Sequence, residues 1–105
     1  MTKPLKGIHR RALRGLAHNL RPVVQVGQKG VTEELLHSVR QALDRHELIK
    51  VQFLEPKEKE GKKRLSEHIA ERTGAHWVGM VGHVAIFFRR HPDPSRRKIR
   101  LPDDA

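Results

Sequence analysis

The chain has 105 residues and no cysteine, with 22 Lys and Arg against 12 Asp and Glu for a formal net charge of +10. Disulfides, thiolate zinc sites and cysteine nucleophiles are excluded. The longest apolar run, Val84–Phe88, is far short of the ~20 residues that span a bilayer.

In chain order, Leu5, Ile8, Ala12, Leu13 and Leu16 fall at helical spacing between Lys6, Arg10, Arg11 and Arg14, so residues 4–17 are expected to form a basic amphipathic helix. Pro22 keeps Arg21 out of the α region and ends that stretch. The β-branched run Val23-Val24-Gln25-Val26 predicts a strand, closed by a turn at Gly27-Gln28-Lys29-Gly30. Thr32 is a natural N-cap and Glu33 and Glu34 suit the positive end of a helix dipole, so a second helix is expected over about 32–46. Leu48–Leu54 reads as the second strand. Glu55–Lys63 then reads as a charged connection before a third helix, which Thr73-Gly74 ends with a glycine cap. Ala75–Met80 and Val84–Phe88 read as strands joined by a tight hairpin at Val81-Gly82-His83.

The order α-β-α-β-α-β-β implies one α/β domain over residues 1–90, with two layers and a mixed four-stranded sheet. Residues 91–105, with Pro92, Pro94 and Pro102, are expected to be an irregular basic tail. Because Met1–Gly7 lacks the apolar core of a signal peptide, a cytoplasmic protein is expected, with no membrane partner.

The positive charge is unevenly spread. Residues 1–32 hold seven bases and no acid, whereas residues 33–60 hold seven acids and five bases. Residues 61–90 hold six bases and two acids. A solubilising surface would mix its signs; this distribution suggests one electropositive face toward an anionic partner, nucleic acid being the commonest.

The Gly27–Gly30 loop lies in that acid-free third. Two glycines around Gln28 and Lys29 let a backbone approach a ligand closely, and the N–H groups at the start of the second helix can meet a phosphate. The same spacing also suits a plain β–α turn with φ > 0 at both glycines. A second GxxG, Gly79-Met80-Val81-Gly82, has apolar middle residues and reads as a hairpin without a ligand. Lys62-Lys63-Arg64, at the expected start of the third helix, is electrostatically unfavourable there unless a phosphate docks on it. It reads equally well as a solvated linker balanced by Glu58 and Glu60. Arg10, Arg11, Arg14, His18 and Arg21 complete the candidate contacts.

The eight histidines contain no HxxxH or HExxH spacing, and no clustered acid–base pair is visible. Neither a metal, a cofactor, a small-molecule substrate nor catalysis is therefore expected. Phe53, Trp77, Phe87 and Phe88 read as core residues rather than an exposed stacking platform.

Gly15-Leu16-Ala17-His18, Arg21-Pro22-Val23-Val24, the Gly27–Gly30 loop, Thr32-Glu33, Gln41-Ala42-Leu43 and His46-Glu47-Leu48-Ile49-Lys50-Val51 together resemble the CRM domain (chloroplast RNA splicing and ribosome maturation). The likeness is to its stand-alone bacterial YhbY-type members. Thr73-Gly74-Ala75, Gly82, Arg89, Lys98-Ile99 and Leu101-Pro102 extend it over about residues 7–102. The resemblance implies a fold like the C-terminal domain of translation initiation factor 3, and RNA as the ligand of Gly27, Gln28, Lys29 and Gly30. It further implies association with ribosomal RNA of large-subunit precursors; separately, a monomer is expected. A small-subunit or group II intron target, or a general nucleic-acid chaperone, are the alternatives.

Overall fold

Residues 4–102 are described by a computed structural model; residues 1–3 and the tail end 103–105 lie outside the described residues. The elements are α1 (Gly7–Ala17), β1 (Val24–Val26), α2 (Glu33–His46), β2 (Leu48–Phe53), α3 (Lys59–Thr73), β3 (His76–Val81) and β4 (Val84–Phe88), followed by a 3-10 turn at Pro94–Arg96. The strands lie in the order β1-β2-β4-β3. β1 and β2 are parallel, joined through α2, and β4 runs antiparallel to both β2 and β3. The expected element order and mixed four-stranded sheet are present.

The layering differs from expectation. Ile49, Val51 and Phe53 of β2 point with Ala85 and Phe87 of β4 toward Leu36, Val39 and Leu43 of α2 and Ile69 of α3. Leu48, Ile86, Phe88 and Val78 point the opposite way, toward Leu13 and Ala17 of α1. Helices therefore cover both faces, giving three layers where two were expected. The signal lies in Val-Ala-Ile-Phe-Phe of β4, which is apolar on both faces, as a strand covered on both sides requires. All three phenylalanines are at most 2% exposed, each burial being worth about 1.5–3 kcal/mol.

α2 starts as its sequence dictates: Thr32 Oγ1 accepts the Leu35 N–H at 3.1 Å. α3 starts earlier than expected, at Lys59, which places Lys62, Lys63 and Arg64 inside the helix rather than at its tip. Gly61 misleads there, being a poor helix former. Its missing side chain lets Pro56 pack against the helix, since a Cβ at 61 would lie 2.7 Å from Pro56 Cγ.

β3 carries a bulge between Trp77 and Gly79: Trp77 pairs with Phe87 but Gly79 with Ile86. Arg10 of α1 donates to the carbonyls of Trp77 (2.9 Å) and Val78 (3.4 Å) at this irregularity. The segment after Arg90 is not a loose tail. Leu101 is 5% exposed within the α1 core. The carboxylate of Glu47, 1% exposed, accepts the backbone N–H groups of His91 (2.6 Å), Lys98 (2.5 Å) and Ile99 (2.9 Å). Residues up to Leu101 thus pack with the domain, and the boundary expected at residue 90 has no counterpart in the packing.

Candidate nucleic-acid interface

The parallel pair β1–β2 and the antiparallel hairpin β3–β4 bring several loops to one end of the sheet. Val26 at the end of β1 accepts N–H groups from Leu54 (2.8 Å) and Glu55 (3.2 Å), and Phe53 N–H donates to His83 O at 2.7 Å. The Gly27–Gly30 loop, the Leu54–Glu58 segment, the β3–β4 turn and the start of α3 are therefore neighbours.

The loop itself is a tight turn in which Gly30 N–H donates to Gly27 O at 3.0 Å. Only Gly30 has positive φ, at 71°, so the turn needs one left-handed residue and not the two expected. Gly27 is free of that constraint, and a Cβ built on it meets nothing within 4 Å. Nothing in the fold demands a bare residue at 27. Gln28 and Lys29 are exposed.

The start of α2 is less suited to a phosphate than its position suggested. Thr32 already caps it, and Glu33 and Glu34 fill its first turn. Arg72 of α3 pairs with Glu33 at 2.7 Å, and that hydrogen bond and charge hold the Glu33 carboxyl below its usual range. The exposed cations at this end are instead Lys29 of the loop and the nearby Lys57, Lys59 and Lys63.

Three recesses open around the β3–β4 turn, each including a turn residue or the strand end beside it. Val81 lines the first, of about 170 Å³, with Arg14, His18, Pro22, Lys50, Val84 and Ile86 on the α1 side. Gly82 lines the second, of about 370 Å³, with Lys57, Lys59, Lys62, Lys63, Trp77 and Met80. His83 lines the third, of about 450 Å³, which joins Gly27 and Gln28 to Lys57 across Gln52, Phe53, Leu54 and Glu55. Lys57 is common to the last two. The basic surface wraps one end of the sheet, where the field of a single cationic rim is concentrated.

The candidates named from sequence divide in this geometry. Arg14 and His18 meet at the first recess, and Gly27 and Gln28 at the third. Lys63 lies in the second. Arg11, Arg21, Lys29 and Arg64 are exposed but line none of the three, and Gly30 lines none either.

Two candidate cations have other employment. Arg10 ties α1 to the bulge of β3. Lys62, 7% exposed, donates to Gly82 O at 3.0 Å and His83 Nδ1 at 2.8 Å. Its ammonium fixes the turn on which the recesses converge, so it positions that surface and is not an exposed phosphate contact. Lys57, Lys59, Lys50 and His83 also line the recesses and were not singled out from sequence; Lys50 donates to the carbonyls of His18 (3.3 Å) and Leu20 (3.0 Å). Lys57 and Lys59 stand beside Glu58 and Glu60, and their neutral local balance hid them.

Among the described residues, no group of three or more His, Cys, Asp or Glu side chains is arranged to hold a metal ion, and no helix is long and apolar enough to cross a membrane.

The sequence model of the CRS1 / YhbY (CRM) domain matches residues 5–89. An "RNA-binding protein" of Haemophilus influenzae is 41% identical over 91 residues, covering 86% of this chain and 87% of the relative. The Bacillus subtilis protein named "Probable RNA-binding protein YqeI" is 32% identical over 98 residues, covering 93% and 99% respectively. The solution structure of a Staphylococcus aureus protein superposes with a TM-score of 0.81 at 33% identity, over 94% of this chain and 100% of that one.

Proposed function

The chain belongs to the CRS1 / YhbY (CRM) domain family, and from that membership we propose that it is a non-catalytic, cytoplasmic RNA-binding protein of large ribosomal subunit assembly. The names of its relatives support RNA as the ligand. The observation that carries the reading is the convergence of three cation-lined recesses on the β3–β4 turn, with the Gly27–Gly30 loop at their edge.

In this account Lys29, Lys57, Lys59 and Lys63 neutralise phosphates at the sheet end, and Arg11, Arg14, His18 and Arg21 do so on the α1 side. Gly27 lets the sugar–phosphate backbone approach the loop closely. Binding by these groups is salt-sensitive and reads little sequence, because phosphate contacts fix register while base contacts specify. Lys62 and Arg10 act indirectly by holding the turn and the bulge in place. The assembly role draws its support from the likeness to stand-alone bacterial members with one domain copy, and the protein is proposed to act as a monomer.

Crosslinking in cells followed by sequencing, on fractions of a ribosome gradient, tests the proposal. The protein is expected in fractions of large-subunit precursors, crosslinked to large-subunit ribosomal RNA. Crosslinks confined to small-subunit RNA or to an intron would overturn the assembly role. Equal affinity of the purified protein for single-stranded DNA and RNA would point instead to a general nucleic-acid chaperone.

A further inference from the structure

The recess beneath the start of α3 differs from the rest of the basic surface in having an apolar wall. Residues three apart on a regular strand point to opposite faces. The β3 bulge removes that offset: Trp77 pairs with Phe87 and Met80 with Ala85, and Phe87 and Ala85 share one face of the sheet. The extra residue thus brings the Trp77 indole and the Met80 thioether to the same side, a common use of bulges. Trp77 Nε1–H donates to Gly79 O at 3.0 Å, which satisfies the indole's polar atom and leaves its ring as apolar surface.

Lys59 and Lys63 lie one helical turn apart on α3 and line the same recess with Lys57, while no carboxylate lines it. Among the described residues none of these three ammonium groups has an ion-pair or hydrogen-bond partner in the chain. Like charges at i and i+4 disfavour the free protein slightly, and an anion between them offsets this. The volume, about 370 Å³, falls within the ~300–1,000 Å³ of small-ligand sites.

An aromatic and a thioether wall facing three unpaired cations matches a flat, uncharged ring joined to a phosphate. We infer that this recess captures one unpaired nucleotide of the bound RNA, its base against Trp77 and Met80 and its phosphate among Lys57, Lys59 and Lys63. The inference rests on the RNA-binding reading and adds to it a site for single-stranded RNA. Lys57 lines both this recess and the one containing Gly27 and Gln28, so a strand held by the loop has a continuous cationic path to it.

Trp77 is the single tryptophan of the chain, so its fluorescence reports this recess alone. Titration with a single-stranded hexanucleotide RNA, read in parallel by anisotropy of a labelled copy, is expected to quench Trp77 with the same midpoint. A blunt RNA duplex should bind with little quenching. Lys59→Glu/Lys63→Glu, both at exposed positions, should remove the quenching while circular dichroism stays unchanged. Trp77→Leu should weaken hexanucleotide binding roughly five- to a hundredfold, the range of single base–aromatic stacks.

Hexanucleotide binding with Trp77 emission unchanged would overturn the inference, as would undiminished quenching in the double variant. Quenching by free AMP or UMP but not by RNA would assign the recess to mononucleotides and overturn it too. Failure of every RNA to bind, by anisotropy, would instead remove the RNA-binding reading beneath it.

Discussion

Replacing each glycine of the Gly27–Gly30 loop by alanine separates what the fold needs from what a ligand needs. At Gly27 a Cβ meets nothing within 4 Å, and φ lies outside the positive region. Gly27→Ala therefore costs the fold nothing and, by restricting the unfolded chain, can add about 0.4–1 kcal/mol. At Gly30 the space is equally open, but φ is +71°, so the cost is the left-handed backbone alone, about 1–2 kcal/mol. At ~4–8 °C per kcal/mol for a domain near this size, thermal melts should show Gly30→Ala lower by roughly 4–16 °C. Gly27→Ala should match or exceed the parent. Anisotropy titrations with labelled RNA at 25 °C should then show Gly27→Ala binding about tenfold more weakly, the cost of keeping a phosphate out of close contact being about 1.4 kcal/mol. Parent-like affinity in a folded Gly27→Ala protein would refute the reasoning that the bare residue serves the ligand.

Glu47→Gln should destabilise the chain by about 3 kcal/mol, since an amide cannot accept all three part-buried N–H groups and loses the charge that strengthens them. Denaturant melts measure this, and faster proteolysis after Arg90 should accompany it. His76 stacks on Phe88 with ring centroids 6.4 Å apart, and burial, followed by the nearby charge of Arg10, holds its pKa below the ordinary 6.5. Between the folded and unfolded values the unfolded chain binds more protons, so stability falls as pH drops below about 6.5. His76→Gln should flatten that limb in melts taken across pH, and an unchanged slope would remove His76 as its cause.

Much of this architecture is legible from local chemistry. Thr32 before two glutamates, Gly74 after Thr73, and Gly82 between two β-rich runs each do what their side chains dictate. The unread parts depend on partners distant in sequence. Of the apolar stripe of α1, Leu13 is buried whereas Ile8 and Leu16 are exposed, and the stripe does not say which face of the sheet it covers. Gly61 looks like a helix breaker until Pro56 is placed against it. Lys62 and Arg10 look like exposed cations because the carbonyls they serve, at Gly82, Trp77 and Val78, lie 20 or more positions away. Glu47 looks like one acid in a mixed run, and only the return of His91–Ile99 to it reveals an anchor. The bulge that brings Trp77 and Met80 to one face leaves no mark in a period-2 pattern except Gly79.

The central claim is that the exposed cation of the glycine loop meets RNA phosphate. Measuring RNA affinity of Lys29→Glu against salt concentration tests it most directly. The folded variant should bind more weakly, with a log K against log salt slope shallower by about one, the signature of one lost phosphate contact. A folded variant with the parent's affinity and slope would contradict it.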